Sequence, residues 1–321
     1  MTDVSTAIAG PNSTLTLAGR TFDALSALVA MAVVTAAVAT TLAQQSTVDA
    51  ERERPATKAT VSSAEVTTAS APAETVIAGY FGVPYTYPSD VTIRNLPKTD
   101  VTVKKPTWDG KPFDAPVYYG VRVIRWFPGD RTGAMVDFTH SKTITRKNEE
   151  VEFKGLIDGA EAPARAKISA IFKHLEFSHG HNMLTFNGLF RLGALAPRLT
   201  PYVGAGVGVS LPHSEVQLRT EPARTYEYQY AGPVGQALIG LEIRLPTRSL
   251  FFEYKFSYAD YRAPLTRING NWLPIDLARQ FMRWWRGEAP VAGYIETTLA
   301  SHQVIGGVGV RIGGAAAARA R

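Results

Sequence analysis

The run Ser249-Leu250-Phe251-Phe252-Glu253-Tyr254-Lys255-Phe256-Ser257-Tyr258-Ala259-Asp260-Tyr261 carries the decisive pattern of this chain. Successive side chains of a strand point to opposite faces. Leu250, Phe252, Tyr254, Phe256 and Tyr258 therefore share one face, and Glu253, Lys255 and Ser257 share the other with Phe251. One such strand fits a soluble sandwich as well as a barrel, so the decision rests on whether the pattern repeats.

It does, at 76–85, 117–127, 133–142, 181–192, 201–210, 226–245, 250–261 and 297–312. Tight joins at Pro128-Gly129-Asp130-Arg131, at 194–200 and at Pro246-Thr247-Arg248 alternate with long connections. Short turns on one side and long loops on the other are the layout of bacterial outer-membrane barrels. The pattern predicts an all-β fold, an eight-stranded antiparallel transmembrane β-barrel over residues 76–312, monomeric and placed in the bacterial outer membrane. Alternation sends Val121, Val123, Val136, Phe138, Leu184, Phe186, Val304, Val308 and Val310 outward. It sends Arg122, Asp137, Asn187, Arg191, Gln236, Glu242, Glu253, Lys255 and Arg311 inward. Charges enclosed in a narrow interior must pair, so Glu253 or Glu242 is expected on Arg122, Arg191 or Lys255.

The rest of the 321 residues sets the bounds. There is no cysteine, which excludes disulfides, thiolate metal sites and a cysteine nucleophile. The net charge of +6 comes from bases interspersed with acids, so no nucleic acid is expected as a partner. Residues 24–43 carry no charge and are long enough to cross a bilayer; residues 1–45 are read as an export signal or N-terminal hydrophobic helix. Residues 46–75, rich in Ser, Thr, Ala, Pro and charge, are read as a disordered linker, and 313–321 as a flexible tail. The glycines of Gly204-Ala205-Gly206-Val207-Gly208 and Gly306-Gly307-Val308-Gly309 lie inside strand patterns with no helix after them, which removes a nucleotide-loop reading.

Chemistry is expected on the long connections. Lys173-His174-Leu175-Glu176-Phe177-Ser178-His179-Gly180-His181-Asn182 holds three of the six histidines, making His174, His179 and His181 candidate metal ligands. Ser178 beside His179 and near Glu176 suggests a hydrolase, although a triad is defined by spatial roles and not by adjacency. Residues 275–287 interleave Leu277, Phe281, Trp284 and Trp285 with Arg279, Arg283 and Arg286 at helical spacing. That pattern predicts an interfacial helix whose Arg279, Arg283, Trp284, Trp285 and Arg286 grip an acidic glycolipid. His140 ends its strand near the outer rim with Asp137 below it, placing a base and a carboxylate side by side.

Several stretches resemble a known family. Trp108-Asp109-Gly110-Lys111-Pro112-Phe113, Tyr119-Gly120-Val121-Arg122, Val136-Asp137-Phe138-Thr139-His140, Leu175-Glu176-Phe177, Pro201-Tyr202-Val203-Gly204-Ala205-Gly206, Tyr226-Glu227-Tyr228-Gln229, Gly235-Gln236-Ala237 and Phe252-Glu253-Tyr254-Lys255-Phe256 together resemble the lipid A oxidases of rhizobial outer membranes. The resemblance implies oxidation of the proximal glucosamine of lipid A to 2-aminogluconate. Molecular oxygen would be co-substrate, hydrogen peroxide would be released, and a divalent metal is possible with no organic cofactor. It implies lipopolysaccharide of the outer leaflet as partner, and His140, Glu176, Asp137 and Asn182 as catalytic residues. The alternative readings are a non-enzymatic OmpA-like surface barrel, serving membrane stability or partner binding, and a lipid A deacylase.

Overall fold

Every one of the eight alternating segments contains a strand, but the described residues build twice that number. A computed structural model describes residues 71–313. In order along the chain, β1 is Glu74–Thr86, β2 Val91–Leu96, β3 Thr99–Val103, β4 Trp108–Asp109, β5 Tyr119–Trp126 and β6 Thr132–Thr145. Next come β7 Glu150–Ile157, β8 Ala160–Glu161, β9 Arg165–Lys167, a single helical turn α1 Ile168–Ile171, and β10 Phe172–Arg191. The chain continues with β11 Leu199–Ser210, β12 His213–Leu218, β13 Thr225–Tyr228, β14 Gly232–Arg244, β15 Arg248–Pro264, the helix α2 Leu273–Trp285, and β16 Tyr294–Gly313.

All sixteen strands belong to one antiparallel sheet. The expected eight-stranded transmembrane barrel is corrected accordingly. The connections read as long loops supply β2, β3, β4, β7, β8, β9 and β12, and the segment 226–245 read as one strand divides into β13 and β14. The physical reason is a second core. Val91, Ile93, Val101, Val103, Val151, Phe153, Phe172, Leu175 and Leu299 are buried together, so the connections pack on one another and on the upper ends of β10 and β16. The readings of residues 1–45, of most of 46–75 and of 314–321 lie outside the described residues.

Within the sheet the ladders run β1-β5-β6-β10-β11-β14-β15-β16, and β16 pairs in turn with β1, from Glu74 opposite Gly313 to Thr86 opposite Ser301. Eight strands thus form a closed ring, and the other eight extend it. Outside the ring Val121, Val123, Val136, Phe186, Val207, Phe252, Val308 and Val310 are exposed. The outward side chains stop being exposed at His140 on β6 and Asn182 on β10, where the extension begins to cover them.

The ring interior combines an apolar cluster, with Trp126, Met135, Leu189 and Phe251 buried, and a charged network. Arg122 donates from Nη1 to Glu253 Oε2 at 2.8 Å and from Nε to Asp137 Oδ1 at 3.2 Å. Lys255 Nζ lies 3.0 Å from Asp137 Oδ2, and all four side chains are fully buried. The Tyr80 hydroxyl donates to Asp137 at 2.9 Å, and that of Tyr202 to Glu253 at 2.8 Å. Each ring lies over a glycine: a Cβ at Gly120 would sit 1.9 Å from Tyr80 and one at Gly240 2.4 Å from Tyr202. At the short-turn end Glu74, Asp130 and Glu242 mesh with Arg191, Arg244 and Arg311, including Arg191 Nη2 to Glu242 at 2.7 Å. Both pairings expected from alternation, Glu253 with Arg122 and Glu242 with Arg191, are therefore present.

Removing one member of a buried ion pair strands its partner and costs about 3–5 kcal/mol. Asp137 neutralises both Arg122 and Lys255, so Asp137→Asn should destabilise the fold by about that much. Urea unfolding followed by tyrosine and tryptophan fluorescence measures this, and an unchanged midpoint would show that the interior tolerates the imbalance.

Candidate functional site

Pairing of β6 with β10 sets Asn182 directly opposite His140. His140 Nδ1 and Asn182 Oδ1 are 2.8 Å apart, and Asn182 Nδ2 donates to the Leu211 carbonyl at 3.1 Å. The Tyr119 ring stacks on His140 with centroids 4.9 Å apart. These side chains line a cleft of about 490 Å³ together with Phe138, His179 and Tyr228, and Leu273 of α2 closes one side. The cleft therefore sits where the exposed outer face of the ring ends and the extension begins.

His140 and Asn182 are brought together; the other residues grouped with them from the sequence are not. Asp137 is sealed in the ring interior on Arg122 and Lys255. Glu176 pairs with Ile144, four positions beyond His140 on β6 and so about 13 Å farther along the strand. There it meets His174 and Glu215, whose ligand atoms lie with its own within 4.8 Å of one another. His174, His179 and His181 do not form this group. His179 instead approaches Tyr226 at 3.0 Å, and His181 binds the Tyr261 hydroxyl. His213, which the sequence reading passed over, stands between Tyr226 and Tyr228 with ring centroids 4.2 and 4.5 Å away. It bonds the Gly270 carbonyl at 2.9 Å, and burial holds its pKa below the ordinary histidine value.

Ser178 Oγ donates to Glu215 at 2.6 Å and lies 3.1 Å from His179 Nδ1. The carboxylate contacts the serine and not the far side of the imidazole. A hydrolytic triad needs the carboxylate on the histidine, so this geometry does not make Ser178 a nucleophile.

Helix α2 is moored by its polar side. Asp276 is 1% exposed and accepts from the Tyr228 amide at 3.2 Å. Gln280 exchanges two bonds with the Tyr230 backbone at 2.7 and 2.9 Å, and Arg283 reaches the buried Glu227 at 3.1 Å. Positions 276, 280 and 283 share one helical face at this spacing. The remaining face leaves Phe281, Trp284 and Trp285 exposed, the two tryptophans by 72% and 73%. Of the five residues expected to grip a glycolipid, Arg279 pairs with Asp276 at 3.3 Å and Arg283 with Glu227, while Arg286 reaches only the exposed Glu288 at 3.6 Å. Trp284 and Trp285 stand free of the sheet.

No family model matches the chain, and no curated protein does. Among solved structures, the crystal structure of Neisserial surface protein A (NspA) aligns with 11% identity and a TM-score of 0.32, over 74% of this chain and 97% of that one. At that identity and score the likeness assigns neither fold nor function. The resemblance to lipid A oxidases is thereby corrected, together with the glucosamine-oxidising, oxygen-dependent activity it implied. The reason lies in where the shared motifs fall. Arg122, Asp137, Glu253 and Lys255, which anchor three of them, build the buried interior network. Such residues are what a narrow polar interior requires and do not define an active site.

Asp276 carries the mooring of α2 through contacts on both sides of its carboxylate. Asp276→Ala should loosen the helix and speed tryptic cleavage after Arg279, Arg283 and Arg286 severalfold, read by mass spectrometry of timed digests. Equal cleavage rates would mean that Gln280 and Arg283 hold it alone.

Proposed function

We propose that this is a non-enzymatic protein of the bacterial outer membrane that holds to lipid and binds the acidic glycolipid surface, lipopolysaccharide, as a monomer. The observation that carries the reading is the inverted mooring of α2: its polar residues face the protein and its aromatic residues face outward. A helix edge of tryptophans beside arginines is suited to the boundary between headgroups and acyl chains. The outer face of the ring supports the same reading, because contiguous exposed apolar side chains on this scale mark a surface that meets lipid or a partner. Leu273, at the start of α2, shares the cleft with Tyr119 and Phe138, so that end of the helix lies at the upper limit of the exposed face. The reading leaves room for a divalent ion where His174, Glu176 and Glu215 converge, and it assigns that ion no catalytic step.

Partition onto vesicles tests the proposal. Each buried tryptophan contributes at least about 1.4 kcal/mol, so Trp284→Ala and Trp285→Ala should each weaken binding to lipopolysaccharide-containing vesicles by about tenfold. Neutral phosphatidylcholine vesicles should bind less well than these. Variants that partition like the parent would overturn the assignment of α2. Lipid A from cells with and without the gene should give the same mass spectrum, and a modified sugar or a lost acyl chain would overturn the non-enzymatic reading.

A further inference from the structure

Two glutamates face each other across the β10–β12 ladder: Glu176 is the direct partner of Glu215. Like charges directly opposite in an antiparallel pair are destabilising, and here both carboxylates are largely buried. His174 lies two residues before Glu176 and therefore on the same face. Its Nδ1 stands 3.0 Å from Glu176 Oε1 and 3.1 Å from Glu215 Oε1. We propose that His174, Glu176 and Glu215 form a binding site for a divalent transition-metal ion of the zinc class.

The geometry suits that class. Donor atoms about 2.0–2.1 Å from a tetrahedral centre lie roughly 3.3–3.4 Å from one another. The two His–Glu separations fall about 0.3 Å short of that, so the donors need only part slightly around an ion. One imidazole and two carboxylates form a borderline donor set that suits zinc better than magnesium, which prefers six oxygen donors and keeps much of its water. Ser178, bonded to Glu215 Oε2, orients that carboxylate from behind and plays the part that outer hydrogen bonds play around metal ligands.

Two cations hold the same site. Lys147 Nζ lies 3.4 Å from Glu176 Oε1, and Arg224 Nη1 pairs with Glu215 Oε1. These are the two oxygens that His174 contacts. Both cations can withdraw: the side chains of Lys147 and Arg224 are 40% and 35% exposed, and Arg224 also stacks over the Tyr226 ring. Metal and cations therefore compete, with the sheet as the fixed element and the two long side chains as the exchangeable one.

The test is calorimetric titration of the untagged full chain with zinc sulfate and, separately, magnesium sulfate. Zinc should bind at one site and magnesium at least tenfold more weakly. His174→Ala and Glu215→Gln should each weaken zinc binding tenfold or more, whereas His302→Ala, which changes a histidine bonded to Tyr254 and Tyr87, should not. Lys147→Ala should tighten binding severalfold, and a gain of affinity cannot come from misfolding. Cobalt(II) should give the visible absorption of a four-coordinate centre. No zinc binding by the full chain, zinc binding that survives both His174→Ala and Glu215→Gln, or a preference for magnesium would each overturn the proposal. Vesicle partition should be the same for His174→Ala and the parent, so this site and the membrane reading fail separately.

Discussion

Two bases and two acids sealed inside the ring constrain the rest of the structure. Arg122 and Asp137 come from neighbouring strands, whereas Glu253 and Lys255 come from β15, four steps around the ring from β6. The network therefore reaches across the interior and ties opposite walls together. Their charges cancel, and Tyr80, Tyr202 and Thr139 fill the remaining hydrogen-bonding capacity. Ionised groups in a low-dielectric interior are tolerated only under that condition. Register follows from it: a one-residue slip in β6 or β15 would turn these charges to the outer face and an apolar side chain into the network. The glycines opposite Tyr80 and Tyr202 are part of the same constraint, since any side chain there would push a hydroxyl off its carboxylate.

This constraint explains what the sequence made legible. Strict alternation over about ten residues is what results when each strand has a polar enclosed face and an apolar outer one. The ring strands could therefore be located, and partners such as Arg122 and Glu253 anticipated. The extension follows no such rule. Its strands run as short as two residues, and its core joins segments distant in sequence, as where Val101 stands opposite Gly155. Each segment alone looks like a polar connection with a few stray valines. The motif resemblance was misleading for a related reason: interior charges at strand spacing recur wherever a narrow ring must be filled, so their order along the chain reports packing before it reports chemistry.

The candidate sites show the same division. His140 and Asn182 lie on adjacent ring strands near the end of regular pairing, and their meeting follows from register. Glu215 carried no comparable mark. Its pairing with Glu176 becomes visible only once β12 is known to fold back on β10. For α2, the interleaving of aromatic and basic residues was legible but the moored face was not. That choice depends on Tyr228 and Tyr230 offering backbone groups to Asp276 and Gln280, and backbone availability leaves no trace in residue type.

The two charged regions differ in one physical respect, and that respect assigns their roles. In the central network of the ring all four charged side chains are fully buried, so no counter-charge can leave without opening the packing. Around Glu176 and Glu215 the acids are similarly buried, yet the balancing Lys147 and Arg224 reach in from water on long side chains. Charge there can be exchanged at modest cost, because a withdrawn ammonium or guanidinium regains its hydration. A fixed network serves as structure and an exchangeable one can serve as a binding site. The proposed binding therefore falls on the extension and its helix, above a ring whose central charges already neutralise one another.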